Sequence, residues 1–284
     1  MSRVWFITGS STGFGRSLTE AVLKRGERVV ATARNKKQIE EFEEQYTNQA
    51  IAVKLDVTDP QEVRAAVKQA IEVFGQIDVL VNNAGYGTIG AIEEVSDEDV
   101  RKQYETNVFG ALDVIRAVLP HMRQQRSGHI LNISSVVGQV SFAGAGIYSS
   151  TKFALESLSE ALAKEVAPLG IRVTIVEPGA FRTDFAGRSL LLSDTIIEDY
   201  ASTVGDFRQR IRAKDGNQPG DPNKAVLAMI QVVESENPPL RLPLGADSVA
   251  AIEEKLLSIK NDVNNWREVA INTAFEDAVV TPVG

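Results

Sequence analysis

The sequence predicts an α/β fold, a doubly wound and mostly parallel sheet of about seven strands with helices on both faces. Three observations carry that expectation. Short runs rich in Val, Ile and Ala alternate with longer amphipathic stretches from Arg3 onward. Those runs are apolar throughout instead of alternating with polar residues, the pattern of strands buried on both faces. The connections are short and punctuated by Gly, Asp and Pro, as tight βα turns require.

The elements follow in order. Residues 3–8 read as the first strand, and a Gly-rich turn leads into an amphipathic helix over 16–25, closed by Gly26 at the C′ position. Residues 28–33 form a second strand, 36–46 a charged helix and 50–55 a third strand. Asp59 as N-cap and Pro60 at the first helical position open a helix that reaches Phe74 and stops at Gly75. Residues 77–81 are the fourth strand. Ser96 then caps an acidic first turn (Asp97, Glu98, Asp99), as the helix dipole favours. A long helix runs on to about Arg126, with Pro120 expected to kink it. Residues 129–133 are a strand, 147–167 a helix and 172–176 a strand. Right-handed crossovers make this repetition a Rossmann-like topology. After Pro178-Gly179 the pattern changes. Residues 181–220 show no convincing strand and several aromatics, and read as a lid over the sheet's carboxyl edge. Residues 240–244 are expected as the last strand, and Asp247 as the cap of a final helix. No repeat or low-complexity linker divides the chain, so residues 1–284 are expected to form one domain with its lid at about 181–220.

Composition narrows the function classes. The formal charge of −8 argues against a nucleic-acid partner, which needs clustered Lys and Arg. There is no Cys, which excludes disulfides, thiolate metal sites and a Cys nucleophile. His121 and His129 stand apart from metal-ligand spacing and are expected at the surface or a strand edge, so no metal is expected. The apolar run at 4–7 is too short for a signal peptide, and no stretch approaches the ~18 residues that span a membrane. A cytoplasmic enzyme with no membrane partner is the expectation.

The turn Thr8-Gly9-Ser10-Ser11-Thr12-Gly13-Phe14-Gly15 lies between the first strand and the first helix. Glycines there let the backbone approach a pyrophosphate that rests on the helix N-terminus. Any tight connection can use Gly, but this one opens a helix directly, which points to a dinucleotide. An acid after strand two would hold an adenosine 2′-hydroxyl and repel a 2′-phosphate. The chain has Ala33 there with Arg34 beside it, and a guanidinium grips a phosphate through paired hydrogen bonds. NADP(H) is therefore expected over NAD(H).

Tyr148 and Lys152 lie one helical turn apart, at the start of the helix after strand five, on the edge where doubly wound folds bind ligands. Reducing a carbonyl requires hydride at carbon and a proton on the developing alkoxide, which a phenol can give. A cation about 4 Å away at an effective dielectric near 20 contributes roughly 4 kcal/mol. That would lower the phenol's pKa by about three units, towards neutrality. Ser135 could hold the substrate oxygen beside Tyr148, and Asn107 could position a relay water.

Together, Thr8-Gly9-x-x-x-Gly13-x-Gly15, Asn82-Asn83-Ala84-Gly85, Asn107, Ser135, Tyr148-x-x-x-Lys152 and Pro178-Gly179 resemble the short-chain dehydrogenase/reductases over residues 3 to about 185. The resemblance implies Tyr148 as catalytic acid/base, Lys152 as its activator and ribose ligand, Ser135 as substrate orienter and Asn107 as relay. The implied cofactor contacts begin with Gly9, Ser11, Thr12, Gly13, Phe14 and Gly15 in the turn, and Thr12 could add a hydroxyl to the 2′-phosphate beside Arg34. Further along, Asp56 and Val57 meet the adenine side, and Asn83, Ala84 and Gly85 flank the adenosine. Pro178, Gly179 and Thr183 lie by the nicotinamide. Family members usually associate as homodimers or homotetramers through the two long helices. The expected activity is NADPH-dependent reduction of a mostly apolar small-molecule ketone or aldehyde, because residues 181–207 carry Phe181, Phe185, Leu190, Leu191, Leu192, Ile196, Ile197, Tyr200 and Phe207. An NAD-dependent alcohol dehydrogenase working in oxidation and a non-catalytic NADPH-binding regulator stay open as alternatives.

Overall fold

The computed structural model describes residues 2–275. Its strands are β1 (Val4–Ile7), β2 (Arg28–Ala33), β3 (Ala50–Lys54), β4 (Val79–Asn82), β5 (Gly87–Ile89), β6 (Gly128–Ile133), β7 (Ile171–Pro178), β8 (Leu190–Leu192) and β9 (Arg241–Leu244). Seven of them form one all-parallel sheet in the order β3-β2-β1-β4-β6-β7-β9, and β5 and β8 pair separately. The helices are α1 (Gly13–Lys24), α2 (Glu40–Gln45), α3 (Pro60–Phe74), α4 (Asp97–Tyr104), α5 (Ala111–Gln125), α6 (Gly146–Val166), α7 (Phe185–Arg188), α8 (Asp206–Lys214), α9 (Pro222–Glu234), α10 (Ala246–Asn265) and α11 (Arg267–Ile271).

Strand β1 shows why the apolar runs are continuous. Trp5 and Ile7 enter one core with Leu18 and Val22 of α1 and Met229 and Ile230 of α9. Val4 and Phe6 enter the other, with Val63 and Val67 of α3, Val118 of α5 and Val166 of α6. Alternate side chains thus feed two cores, and neither face can be polar. From β1 the chain builds outward to β2 and β3, then returns to place β4 on the other flank of β1. That reversal opens a crevice at the carboxyl ends of β1 and β4, where such sheets hold their ligands.

Several expectations change in detail. The helix expected over 36–46 breaks at Ile39 into a 3-10 turn (Lys36–Gln38), capped by Asn35, followed by α2. Helix α5 continues through Pro120, and both Pro120 and Arg116, whose carbonyl loses its partner, are exposed to water. A further irregularity lies earlier, in a wide π-helical turn over Glu105–Gly110. His129 is buried on the central strand β6, bonded through Nε2 to the Thr174 hydroxyl (2.9 Å), so it is neither a surface nor an edge residue. Asp247 does not cap α10. Gly245 does, at φ 93°, while the Asp247 carboxylate accepts from the Ala180 N–H (2.7 Å). The segment 181–220 does contain a strand, β8. Helix α9 adds to the expected elements, and its Asp221-Pro222 start repeats that of Asp59-Pro60.

No helix among the described residues is long and apolar enough to cross a membrane, and they contain no group of three or more metal-ligating side chains.

Candidate active site

The glycine turn at the end of β1 is braced from two sides. The Ser10 N–H donates to the Thr32 carbonyl (2.8 Å), fixing the turn to β2. Across the crevice, the Thr8 hydroxyl accepts from the N–H groups of Asn83 (2.9 Å) and Ala84 (3.0 Å). The Asn83 side-chain amide donates to the carbonyls of Thr8 (2.9 Å) and Gly9 (3.1 Å). Gly9 and Gly13 take φ values of 69° and 54°, a region where side chains are strained. Gly15 is required for another reason. A Cβ there would run into the Gly9 carbonyl oxygen and come within 2.5 Å of the Asn83 amide. Thr12 precedes α1 with extended backbone and forms no side-chain cap, so the first N–H groups of the helix are not taken by its hydroxyl. This cradle suits a pyrophosphate at a helix N-terminus.

The flanking candidates lie along the same edge. Ala33 is buried at the end of β2 and Arg34 is exposed just beyond it. Asp56 is half-buried past β3 and accepts from the backbone (3.0 Å) and hydroxyl (2.8 Å) of Thr58. Val57 faces inward. Its side chain lies 2.8 Å from where a Cβ on Gly110 would stand, so it packs under the wide turn.

That turn carries Asn107, which is buried. Its Oδ1 accepts from the Tyr86 N–H (3.0 Å), and its Nδ2 donates to the Tyr86 carbonyl (2.8 Å) and the Thr151 hydroxyl (3.1 Å). Asn107 therefore ties the loop after β4 to α6. The backbone of Gly85 runs between two functional side chains: a Cβ there would lie 3.1 Å from Asn107 Oδ1 and 3.6 Å from Lys152 Nζ.

Tyr148 and Lys152 share one face of α6 and are both buried. The Lys152 ammonium donates to the Ile133 carbonyl at the end of β6 (2.8 Å) and stands 5.9 Å from the centre of the Tyr148 ring. Burial pushes the Lys152 pKa down to about 8, against the pull of the Glu156 carboxylate. Burial also pushes the Tyr148 phenol above its ordinary value, with the Ser135 hydroxyl drawing it partly back. This differs from the lowering expected from a nearby cation, because enclosing the phenol disfavours its charged form. Ser135 accepts from the Val137 N–H (3.3 Å) and donates to the Pro178 carbonyl (3.4 Å), which joins it to the end of β7.

The segment after β7 covers this edge. Phe181 meets Phe14 edge-on (5.3 Å between ring centres), and Thr183 Cβ would lie 3.7 Å from a Cβ on Gly13. Phe185 stands against the Tyr148 ring at 5.7 Å. Sequence reasoning missed Gly87 here. A Cβ on it would come within 3.0 Å of Leu190 and 3.3 Å of both Phe185 and the Tyr148 ring, so Gly lets β5 and β8 close beside the phenol without displacing these side chains. It also missed two buried charge groups. Glu94 and Arg208 pair at 2.7 Å, and Glu94 also accepts from the N–H groups of Ala91 (2.6 Å) and Ile197 (2.9 Å). Below Lys152, Glu156 and Glu177 share Gln139, which donates to them at 3.0 and 2.9 Å, and they face Arg241 at 3.3 and 3.6 Å. Not all the apolar residues of 181–207 line the site. Phe207 stacks on Phe142, Tyr200 bonds Glu93, and Leu191 and Ile196 face solvent.

The model of the short chain dehydrogenase family matches residues 3–190. The chain belongs to that family. An oxidoreductase of Botryotinia fuckeliana, BOA17, is 41% identical over 277 residues, covering 96% of this chain and all of that protein. The 3-ketodihydrosphingosine reductase of Bacteroides thetaiotaomicron is 38% identical over 245 residues, 86% of this chain and 88% of the relative. A short-chain dehydrogenase of Streptomyces avermitilis superposes with a TM-score of 0.92 at 43% identity, over 97% of this chain and all of that one. More distant structures hold cofactors. A 3-ketoacyl-(acyl-carrier-protein) reductase of Brucella melitensis was solved with NADH (28% identity, TM-score 0.71, 85% of this chain and 96% of that one). ElxO was solved with NADP (26%, 0.72, 88% and 100%). This chain is therefore an oxidoreductase of the short-chain dehydrogenase type.

Proposed function

We propose that this short-chain oxidoreductase reduces a mostly apolar ketone or aldehyde with NADPH. The carrying observation is that Tyr148 and Lys152 are buried together one turn apart on α6, beside Ser135 at the carboxyl edge of the sheet, with the phenol protonated at neutral pH. A phenol in that state is a proton donor. The bound reduced nicotinamide supplies hydride when present. Tyr148 gives its proton to the substrate oxygen, which Ser135 orients, and the Lys152 ammonium stabilises the phenolate left behind. Lys152 also takes the ribose, while Asn107 holds Gly85 and α6 in place and serves the relay.

In this reading the cofactor lies along Gly9, Ser11, Thr12, Gly13, Phe14 and Gly15, with Asp56, Val57, Asn83, Ala84 and Gly85 on the adenosine side. Pro178, Gly179 and Thr183 lie at the nicotinamide. Because the Val57 side chain and the Asn83 amide are engaged within the fold, their contacts fall to backbone groups. Exposed Arg34, with Thr12, receives the 2′-phosphate. Residues 181–220 act as the substrate lid of a single domain, and Phe185 and Leu190 beside Tyr148 favour an apolar substrate. The relative named a 3-ketodihydrosphingosine reductase supports a ketone of that character. A cytoplasmic homo-oligomer paired through α5 and α6 completes the proposal, supported by exposed Phe153 and Leu158 on α6.

Consumption of NADPH over a panel of aldehydes and ketones tests it. Tyr148→Phe should lower kcat by about 10²- to 10⁴-fold while NADPH affinity stays within about twofold. Wild-type turnover in that variant refutes the role of Tyr148. Arg34→Asp should turn a preference for NADPH in kcat/KM into one for NADH. A native preference for NADH would favour the dehydrogenase reading instead.

A further inference from the structure

Helix α10 (Ala246–Asn265) is the one long helix of the described residues that buries almost nothing, Ser248 alone being buried. At about 1.5 Å per residue its 20 residues extend about 30 Å. Only its root is tied down: the Ser248 hydroxyl donates to the Glu177 carbonyl (2.8 Å) and Asp247 accepts from the Ala180 N–H. Its composition is not that of a solvated helix. Val249, Ile252, Leu256, Ile259, Val263 and Trp266 recur at spacings of three and four, a heptad seam. Leu256, Val263 and Trp266 are 61%, 53% and 67% exposed. Glu254, Ser258, Asn261, Asn264 and Asn265 occupy the other side, with Leu257 the one large apolar residue among them.

The flanking charges identify what fits the seam. Laid antiparallel on a second copy, Val249 meets the partner's Trp266, Ile252 the partner's Val263 and Leu256 the partner's Ile259. Between the central layers, Glu253 then stands beside the partner's Lys260, and Lys255 beside the partner's Asp262, both pairs of opposite sign. A parallel pairing instead sets Lys255 beside the partner's Lys260, a like-charge contact made twice by symmetry in the middle of the helix, and its opposite-sign pair, Asp262 with the partner's Arg267, falls past the end of α10. We propose that α10 is a self-association surface that pairs antiparallel with α10 of a second copy of this chain, separate from α5 and α6. The first layer lies one residue from Ser248, so pairing also stiffens the root that holds Ala180 at the end of the site.

The full chain in sedimentation velocity tests this. Leu256→Asp with Ile259→Asp should remove one association step, halving the mass, with the far-ultraviolet spectrum and melting midpoint retained as proof of folding. Lys260→Glu alone should weaken the same step about tenfold, since two attractive contacts become repulsive. Adding Glu253→Lys to Lys260→Glu should restore it, a rescue expected of a second copy in this register. A wild-type chain that stays monomeric, a doubly acidic variant of unchanged mass, or a failed rescue would each overturn the proposal. So would wild-type chain that sediments with phosphatidylcholine–phosphatidylglycerol vesicles while free chain stays monomeric.

Discussion

The two sides of the crevice are held by different chemistry. The cofactor side is fixed by side chains that bond to main-chain groups: the Thr8 hydroxyl takes two N–H groups, and the Asn83 amide binds two carbonyls within a turn that tolerates no Cβ at Gly15. The substrate side is fixed by side chains that pair with or stack on one another. Glu94 and Arg208, 114 residues apart, pin the segment after β8, while Phe207 stacks on Phe142 and Tyr200 reaches Glu93. Bonds that end on the main chain hold the path of the backbone directly. Side-chain pinning can be rebuilt residue by residue, which suits a surface that selects a substrate.

The largest effect should come from cutting the second kind of anchor. Arg208→Met leaves Glu94 with no counter-charge in a buried position, a change that costs about 3–5 kcal/mol. The loss should be local. Amide hydrogen exchange over 193–208 should rise towards that of an open loop and KM for the carbonyl substrate should increase, while NADPH affinity is unchanged. Unaltered protection over 193–208 would mean that the pair does not hold this segment.

Gly15→Ala should do the opposite, at about 1–3 kcal/mol. Its Cβ must displace the Gly9 carbonyl or the Asn83 amide, both fixed by further bonds. NADPH affinity should fall by about tenfold to a hundredfold, measured by fluorescence titration, with exchange over 193–208 unaffected. If both variants disturbed both regions alike, the two anchors would be one coupled structure.

The same contrast governs what could be read in advance. Buried parallel strands carry their own signal, so the main sheet, the glycine turn and the Tyr148–Lys152 pair were legible. Strands β5 and β8, three residues each, are too short to show a pattern, and Gly87 has meaning only once Tyr148, Phe185 and Leu190 converge on it. Nothing near Arg208 or Glu94 in the chain singles them out, because a pairing across 114 residues leaves no local trace. The wide turn that carries Asn107 was not legible either, because the bonds that tie Asn107 to Tyr86 follow from no spacing in the chain.

The smallest effect concerns the buried carboxyls beneath Lys152, which belong to neither anchor. Burial raises the Glu156 pKa to about 7, with Ser134 and Arg241 opposing and Glu177 adding to the rise. An acid whose pKa is raised on folding binds protons more tightly in the native state. Its contribution to stability is therefore full below about pH 4.5 and is lost as pH rises through about 7. His129, pushed down to about 4 by burial, works in the other direction, because the unfolded chain takes up the proton first as pH falls below about 6.5. Comparing wild type with Glu156→Gln cancels the histidine, which is common to both. The variant's melting midpoint relative to wild type should climb between pH 5 and pH 8, by about 2 °C for about 1 kcal/mol. Glu156→Gln also removes the carboxylate that pulls Lys152 upward, so any limb of the pH–rate profile due to Lys152 should move to lower pH. A parallel pair of melting curves across that range would show Glu156 to be ionised throughout, balanced by Arg241, and the cluster to be a plain ion pair without a proton to exchange.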